Sequence, residues 1–276
     1  MRIALTGASG LVGRFIETEA RAAGHEVTRL TRRPGPGDLA FDLSAPPPDL
    51  SGHDALIHCA FDHVPGRYRG GEGDDPDGFA LRNRDGSLRL FRAARACGVG
   101  AAVFLSTRAV YGAYPPGTPL TEDLAPRPDT LYGRVKAEVE AGLHALAAPG
   151  FAPASLRATG VYGPGPDHKW QGLFAAYLAG RPVAARVATE VHGADVAAAC
   201  LALIGARATG AFNCSDLLLD QHDLLAEVQR LTGCPHDPPP RADAGAVSAM
   251  DCTRLQDLGW RPGGWARLRA ALPAML

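Results

Sequence analysis

The first thirteen residues constrain this chain most. Arg2 to Thr6 is a short apolar run that breaks at Thr6-Gly7-Ala8-Ser9-Gly10-Leu11-Val12-Gly13. Glycine at 7 permits a tight turn, glycine at 10 lets a phosphate approach the backbone, and glycine at 13 lets a helix pack closely on a strand. Leu11, Val12, Phe15, Ile16, Ala20 and Ala23 then share one face at helical spacing. Gly24 ends that stretch, and Glu26 to Leu30 reads as the next strand. A strand, a glycine turn, a helix and a second strand make a crossover that builds a parallel sheet. The turn also presents free N–H groups at a helix N-terminus, where the dipole favours an anion. A purely structural turn is the competing reading; a strand before and an amphipathic helix after are the context phosphate binding needs.

The alternation continues. Ala55 to Cys59 reads as a buried strand, and Phe79 to Cys97 as a helix with Leu81, Leu88, Phe91 and Ala94 inward, closed by Gly98. Ala101 to Leu105 is a strand, Leu131 to Ala147 a helix and Ala154 to Arg157 a strand. Repeated β-α alternation implies an α/β fold, a doubly wound parallel sheet with helices on both faces. Past residue 160 the elements shorten, with helices near 170–179, 195–204 and 220–231 and a proline-rich linker from Pro235 to Pro240. We therefore expect two parts: residues 1–160 bind a dinucleotide and carry the reactive groups, and residues 161–276 form a smaller C-terminal substrate lobe, partly interleaved with the first. Residues 61–78 follow a strand end and are rich in Gly and Asp, so a mobile lid and a solvated surface loop both stay open.

Composition narrows the partners to a small-molecule substrate. The net charge of -1 across 276 residues leaves no broad basic field for nucleic acid or an anionic membrane. The longest apolar run, Val196 to Ala206, is too short to cross a bilayer. The N-terminus runs straight into the glycine turn without a signal peptide, which makes the cytoplasm the expected location. Six cysteines, at 59, 97, 200, 214, 234 and 252, form no C-x-x-C pair and show no zinc spacing, so neither a metal nor a disulfide framework is expected.

Lys and Arg total 28, yet lysine occurs only at 136 and 169. Lys136 lies four residues after Tyr132 in the helical stretch Leu131-Tyr132-Gly133-Arg134-Val135-Lys136, so both side chains share one face. A phenol with an ordinary pKa of about 10 is a poor base at neutral pH, and a nearby ammonium stabilises its phenolate. A compact ammonium also suits ribose hydroxyls better than a planar guanidinium does. In a chain that elsewhere uses arginine, lysine at 136 points to a need arginine does not meet. The competing reading is a packing tyrosine beside a surface lysine. Upstream, Val103-Phe104-Leu105-Ser106-Thr107-Arg108-Ala109-Val110-Tyr111-Gly112 is a strand ending in hydroxyls, which could orient a substrate oxygen or cap a turn.

These motifs, with Arg157-Ala158-Thr159-Gly160-Val161-Tyr162-Gly163-Pro164-Gly165 and Leu258-Gly259-Trp260-Arg261-Pro262, resemble the extended short-chain dehydrogenase/reductase superfamily, specifically its NAD-dependent epimerase/dehydratase family. The resemblance implies a Rossmann sheet and a catalytic set of Thr107, Tyr132 and Lys136, with Ser106 as neighbour. It places the cofactor against Gly7, Ser9, Gly10, Leu11, Val12 and Gly13, then Asp42 and Leu43 beside the adenine, Cys59 and Ala60 at a strand end, Asn83 on a helix, and Lys136. The family's acid for the ribose 2′-hydroxyl falls at Thr31, followed by Arg32 and Arg33. Guanidinium groups bind a 2′-phosphate where an acid repels it, so we expect NADP(H), with NAD possible; alternatively the two arginines solvate a Pro-Gly loop.

The family's dehydratases resemble S-T-D-E-V-Y-G where this chain has Arg108 and Ala109, which disfavours water elimination. An oxidoreductase or epimerase acting at a carbinol or carbonyl carbon of a sugar-like or small carbonyl substrate remains. Asp167-His168-Lys169-Trp170 stands where the family often has Asn and Pro, and His192-Gly193-Ala194-Asp195 where it has an acidic pair; both departures point away from a nucleotide-sugar. Lys169 and Arg186 are candidate substrate contacts or parts of a solvated face. The resemblance further implies a homodimer through the helices near 80–97 and 131–147. The reading from another class is a noncatalytic dinucleotide-sensing protein; such proteins commonly lack the tyrosine or the lysine.

Overall fold

The computed structural model describes residues 1–64, 71–112, 114–166 and 168–276. Its strands are β1 (Arg2–Thr6), β2 (Glu26–Thr31), β3 (Leu39–Ala40), β4 (Ala55–His58), β5 (Ala101–Thr107), β6 (Ala152–Ala158), β7 (Gly160–Tyr162), β8 (Val187–His192), β9 (Gly210–Cys214) and β10 (Leu217–Asp220). Seven of them form one sheet in the order β3-β2-β1-β4-β5-β6-β9, parallel throughout. The chain winds outward from β1 to β3, then returns to β4 on the other side of β1. This reversal opens a crevice at the carboxyl ends of β1 and β4, where such sheets bind ligands. In register, Thr6 stands beside His58.

Side chains alternate across the sheet. Ile3 and Leu5 face one layer, packed with Ile16 and Ala20 of α1 (Gly13–Ala22) and Val196 and Leu203 of α6 (Gly193–Gly205). Ala4 and Leu56 face the other, packed with Leu90 and Phe91 of α3 (Gly86–Ala96) and Val139 and Leu143 of α4 (Leu131–His144). Ala23, expected on the inner face of α1, is exposed just past its C-terminus.

The helix expected over 79–97 is built in three pieces: α2 (Pro76–Ala80), a π turn over Leu81–Asp85, and α3. A π turn holds an extra residue, so it rotates the face that follows it. Phe91 and Ala94 point inward as expected, but Leu81 is 57% exposed, and Phe79, Asn83 and Leu90 are buried. One helical period laid over the whole stretch cannot capture that shift.

A second sheet, β10-β8-β7, carries the small lobe with α5 (Gln171–Leu178), α7 (Gln221–Thr232) and α9 (Gly264–Ala271). Tyr162, Trp170, Leu219, Leu225 and Leu268 belong to its core. The chain returns to the large sheet in between: α6 packs on α1, and β9 pairs with β6. Among the described residues no helix is long and apolar enough to cross a membrane.

Candidate active site

The glycine turn sits against the end of β4. A Cβ on Gly7 would lie 2.8 Å from the Ala60 nitrogen, and one on Gly13 would lie 2.1 Å from the Gly7 carbonyl oxygen. Gly7 also has φ +69°, a left-handed conformation that favours glycine. A Cβ on Gly10 would meet Gly7 oxygen at 3.3 Å and no other neighbour, so its outer face is open. No side chain caps the start of α1. Open space beside a helix start that no side chain caps fits a phosphate-bearing ligand.

Beneath the turn, one hydrogen-bonded chain fixes the end of β4. Thr6 Oγ1 accepts the N–H groups of Cys59 and Ala60, both at 3.0 Å. Its own proton then points to His58 Nδ1, 2.7 Å away. His58 Nε2 therefore donates to Ser87 Oγ at 2.9 Å, and Ser87 donates to the Asn83 carbonyl. That direction needs a neutral imidazole. Burial, helped by the Lys136 charge, lowers the His58 pKa to about 3.

The side chains expected to react lie by the neighbouring strand end. Thr130 Oγ1 caps α4 by accepting the Gly133 N–H at 3.1 Å, which aims the first turn of α4 at β5. Lys136 is 3% exposed. Its Nζ donates to the Leu105 carbonyl at 2.7 Å and lies between two rings, 4.2 Å from the Phe61 centroid and 4.5 Å from that of Phe104. Burial lowers its pKa to about 7, against the opposing influence of Cys59 and Glu140. Among the described residues no carboxylate forms an ion pair with it. The Tyr132 ring packs edge-on against Phe61 at 5.2 Å, and Lys136 Nζ is 5.8 Å from the Tyr132 centroid. Thr107 is half-buried, and its Oγ1 accepts the Ala109 N–H at 3.2 Å, leaving its hydroxyl proton to donate. Ser106 Oγ is buried and, among the described residues, without a partner.

A charged network lies one turn further along α4. Glu140 receives a forked contact from Arg157, whose Nη2 is 2.7 Å from Oε2. Arg157 also donates to the Tyr111 hydroxyl at 3.0 Å, and Tyr111 donates to Asn213 at 2.7 Å. It joins α4, β6, β9 and the chain just after β5.

Comparison with known proteins follows the same lines. The profile of the NAD dependent epimerase/dehydratase family matches residues 3–215. The chain belongs to this family. It is 30% identical over 179 residues to a UDP-glucose 4-epimerase of Corynebacterium glutamicum, a match covering 59% of this chain and 53% of that protein. It is 33% identical over 186 residues to a dTDP-6-deoxy-L-talose 4-dehydrogenase (NAD(P)(+)) of Kitasatospora kifunensis, covering 64% and 58%. These matches thus span little more than half the length of the curated relatives. The solved structure of MoeE5 in complex with UDP-glucose and NAD is similar with a TM-score of 0.79 and 28% identity, covering 98% of this chain and 97% of that one.

The remaining residues expected from the family's motifs divide by environment. Ser9 is exposed, and Leu11 and Val12 are half-buried along the rim of the glycine turn. Arg32 and Arg33 are exposed after β2 and, among the described residues, pair with no carboxylate; Thr31 Oγ1 accepts the Arg33 N–H at 3.4 Å. Asp42 binds the Ser44 N–H at 2.8 Å, and the buried Leu43 receives Arg89 on its carbonyl at 2.7 Å. Cys59 is partly buried, with its thiol pushed up to about 12 by burial. Asn83 is fully buried and clamps the backbone of Asp62, accepting its N–H at 2.7 Å and donating to its carbonyl at 2.8 Å. Its amide is thus engaged in holding the chain after β4. Lys169 pairs with the buried Glu190 of β8; burial draws both toward neutrality. Residues 65–70 of the 61–78 stretch, and Asp167, lie outside the described residues.

Sequence reading missed Phe61, His58 and Ser87. His58 and Ser87 carry no motif, because a buried histidine becomes informative only once its partners are known. Phe61 touches both Tyr132 and Lys136, yet as a lone aromatic after a strand it gives no signal in the sequence.

Proposed function

We propose that this chain is an NADP(H)-preferring oxidoreductase or epimerase that moves a hydride at a carbinol or carbonyl carbon of a sugar-like or small carbonyl substrate. One observation supports the reading above all: Lys136 Nζ, packed with Tyr132 around Phe61, donates to the Leu105 carbonyl at 2.7 Å, two residues before Thr107 at the end of β5. When bound, the nicotinamide dinucleotide supplies or accepts the hydride. Gly7, Gly10 and Gly13 would cradle its pyrophosphate, Lys136 would hold its ribose, and Arg32 and Arg33 would meet a 2′-phosphate. Thr107 orients the substrate oxygen, and the Tyr132 phenol exchanges a proton with it while the Lys136 ammonium stabilises the phenolate. Arg108 and Ala109 supply no carboxylate at the strand end, which argues against water elimination. The exposed Leu81 beside α4 supports a homodimer through these helices, and the cytoplasm is the location that suits reduced thiols.

Turnover of a panel of nucleotide-sugars, sugars and small carbonyls with NADPH and with NADH tests the reading. We expect kcat/KM to favour NADPH by about tenfold or more, the worth of a single charge-assisted hydrogen bond. A preference for NADH overturns the cofactor assignment. Dinucleotide binding with no turnover of any compound, unchanged in Tyr132→Phe, favours a dinucleotide sensor instead.

A further inference from the structure

Arg108 follows Thr107 directly and opens a 3-10 turn over Arg108–Val110. That turn supports the start of α4: a Cβ on Gly133, next to Tyr132, would come within 2.5 Å of the Ala109 carbonyl oxygen. Arg108 therefore begins the turn that lies between Thr107 and the start of α4. Its Nη2 donates to the Ser248 carbonyl at 2.9 Å, on a segment held against residues 115–120 by the Leu120 N–H to Ala249 carbonyl bond of 2.8 Å. Its Nε is buried without a partner. Nη1 is neither enclosed nor hydrogen-bonded among the described residues.

Among the described residues the charge on this guanidinium has no counterion. Arg157 has Glu140, Arg82 has Asp62 and Asp75, and Arg267 has Asp195; Arg14, like Arg108, has a buried Nε without a partner among the described residues and donates to a carbonyl, that of Pro164, but it lies on α1 and not beside Thr107. Among the described residues no carboxylate lies within ion-pair distance of Arg108. Burial lowers its pKa with no acid acting to raise it, yet guanidinium keeps its proton in proteins. A half-buried cation without a partner is costly. Binding one carbonyl does not explain that cost, since a neutral glutamine amide donates to a carbonyl equally well.

We propose that Arg108 is a specificity residue that receives a carboxylate on the substrate, borne close to the carbon that Thr107 and Tyr132 address. The inference rests on the oxidoreductase reading above and narrows its substrate class to acidic carbonyl or hydroxy compounds. A single guanidinium with one Nη already engaged suits a singly charged planar anion.

The test uses the dinucleotide-loaded protein and two matched probe pairs, UDP-glucuronic acid with UDP-glucose and D-glucuronate with D-glucose, with affinities measured by calorimetry. We expect the acid of at least one pair to bind about tenfold or more tightly than its neutral partner, and Arg108→Ala to erase that difference while dinucleotide affinity stays unchanged. Arg108→Gln keeps a donor for the Ser248 carbonyl without the charge, so it separates recognition from a folding defect and is expected to lose the preference too. No binding of either acid, equal affinity within both pairs, or a preference that survives Arg108→Gln overturns the inference. Dinucleotide affinity is read first: if no dinucleotide binds, the oxidoreductase reading itself falls, whereas dinucleotide binding without acid preference removes the Arg108 assignment alone.

Discussion

The chain's two lysines lie in its two regions and are held in opposite ways. Lys136, at the crevice of the seven-stranded sheet, is enclosed by Phe61, Phe104 and the Leu105 carbonyl and has no carboxylate partner among the described residues. Lys169, in the small lobe, has a buried carboxylate, Glu190, in direct contact. A buried ammonium that already has its counterion serves the fold. One held between aromatic faces and a carbonyl, with its pKa drawn down to about 7 by burial, has charge and donors left for a ligand. The difference sets an ammonium without a carboxylate partner among the described residues against one that is already paired.

Four perturbations sharpen or break this contrast. The largest effect is expected from Tyr132→Phe, which removes the hydroxyl proposed to exchange a proton and keeps the ring against Phe61. It should lower kcat by about 10²–10⁴-fold and leave dinucleotide affinity unchanged. A drop in affinity instead of rate would place Tyr132 in binding rather than in chemistry. Second, Lys169→Met leaves Glu190 buried without its partner. Denaturant unfolding should show a loss of about 2–4 kcal/mol, somewhat less than a fully buried pair because Lys169 is 23% exposed. Dinucleotide affinity should not move; if it does, the two regions are not separate in function.

The third effect is a pH slope. Lys136 titrates near 7 in the fold, against an ordinary 10.5. Between those values the unfolded chain holds a proton that the folded, cofactor-free protein has lost, so stability rises with pH across that window. Below it, burial of the charge carries its full cost. Lys136→Met removes the titration, so its stability relative to the parent should decline by about 1–3 kcal/mol between pH 6 and pH 9. A difference independent of pH would mean that Lys136 is not desolvated. The smallest effect is expected from Arg32→Ala combined with Arg33→Ala. These exposed side chains lie in water, so NADPH affinity should fall by about tenfold while NADH affinity holds. An equal fall for both dinucleotides would leave the arginines no role in reading the 2′-phosphate.

Much of this contrast is legible in the sequence, and the boundary of legibility is physical. The glycine turn reads well because its requirements are local: Gly7, Gly10 and Gly13 each answer to backbone space that a Cβ would fill. The Tyr132–Lys136 pair reads well because four-residue spacing on one helix fixes a shared face, and because lysine is scarce in this chain. The alternation of β1, α1 and β2 follows from periodicity alone. What does not read depends on contacts between distant segments. The π turn at Leu81–Asp85 shifts a helical face without any change of composition. The second sheet forms from short strands that show little pattern before they pair. The His58–Ser87 link joins residues 29 apart, and Phe61 gains its place only when β4 brings it to α4. Arg108 reads as the absence of an acid; that its charge has no counterion among the described residues is visible only in three dimensions.

The most direct test observes both lysines at once. With 13C-labelled lysine the protein gives two side-chain signals, one from Lys136 and one from Lys169, assigned by the Lys136→Met and Lys169→Met variants. The account predicts that the Lys136 signal titrates near pH 7 without cofactor, and that saturating NADPH shifts both its position and its titration while the Lys169 signal stays still. A Lys136 signal that ignores the dinucleotide, or a response confined to Lys169, would contradict the assignment of this crevice as the place where hydride transfer occurs.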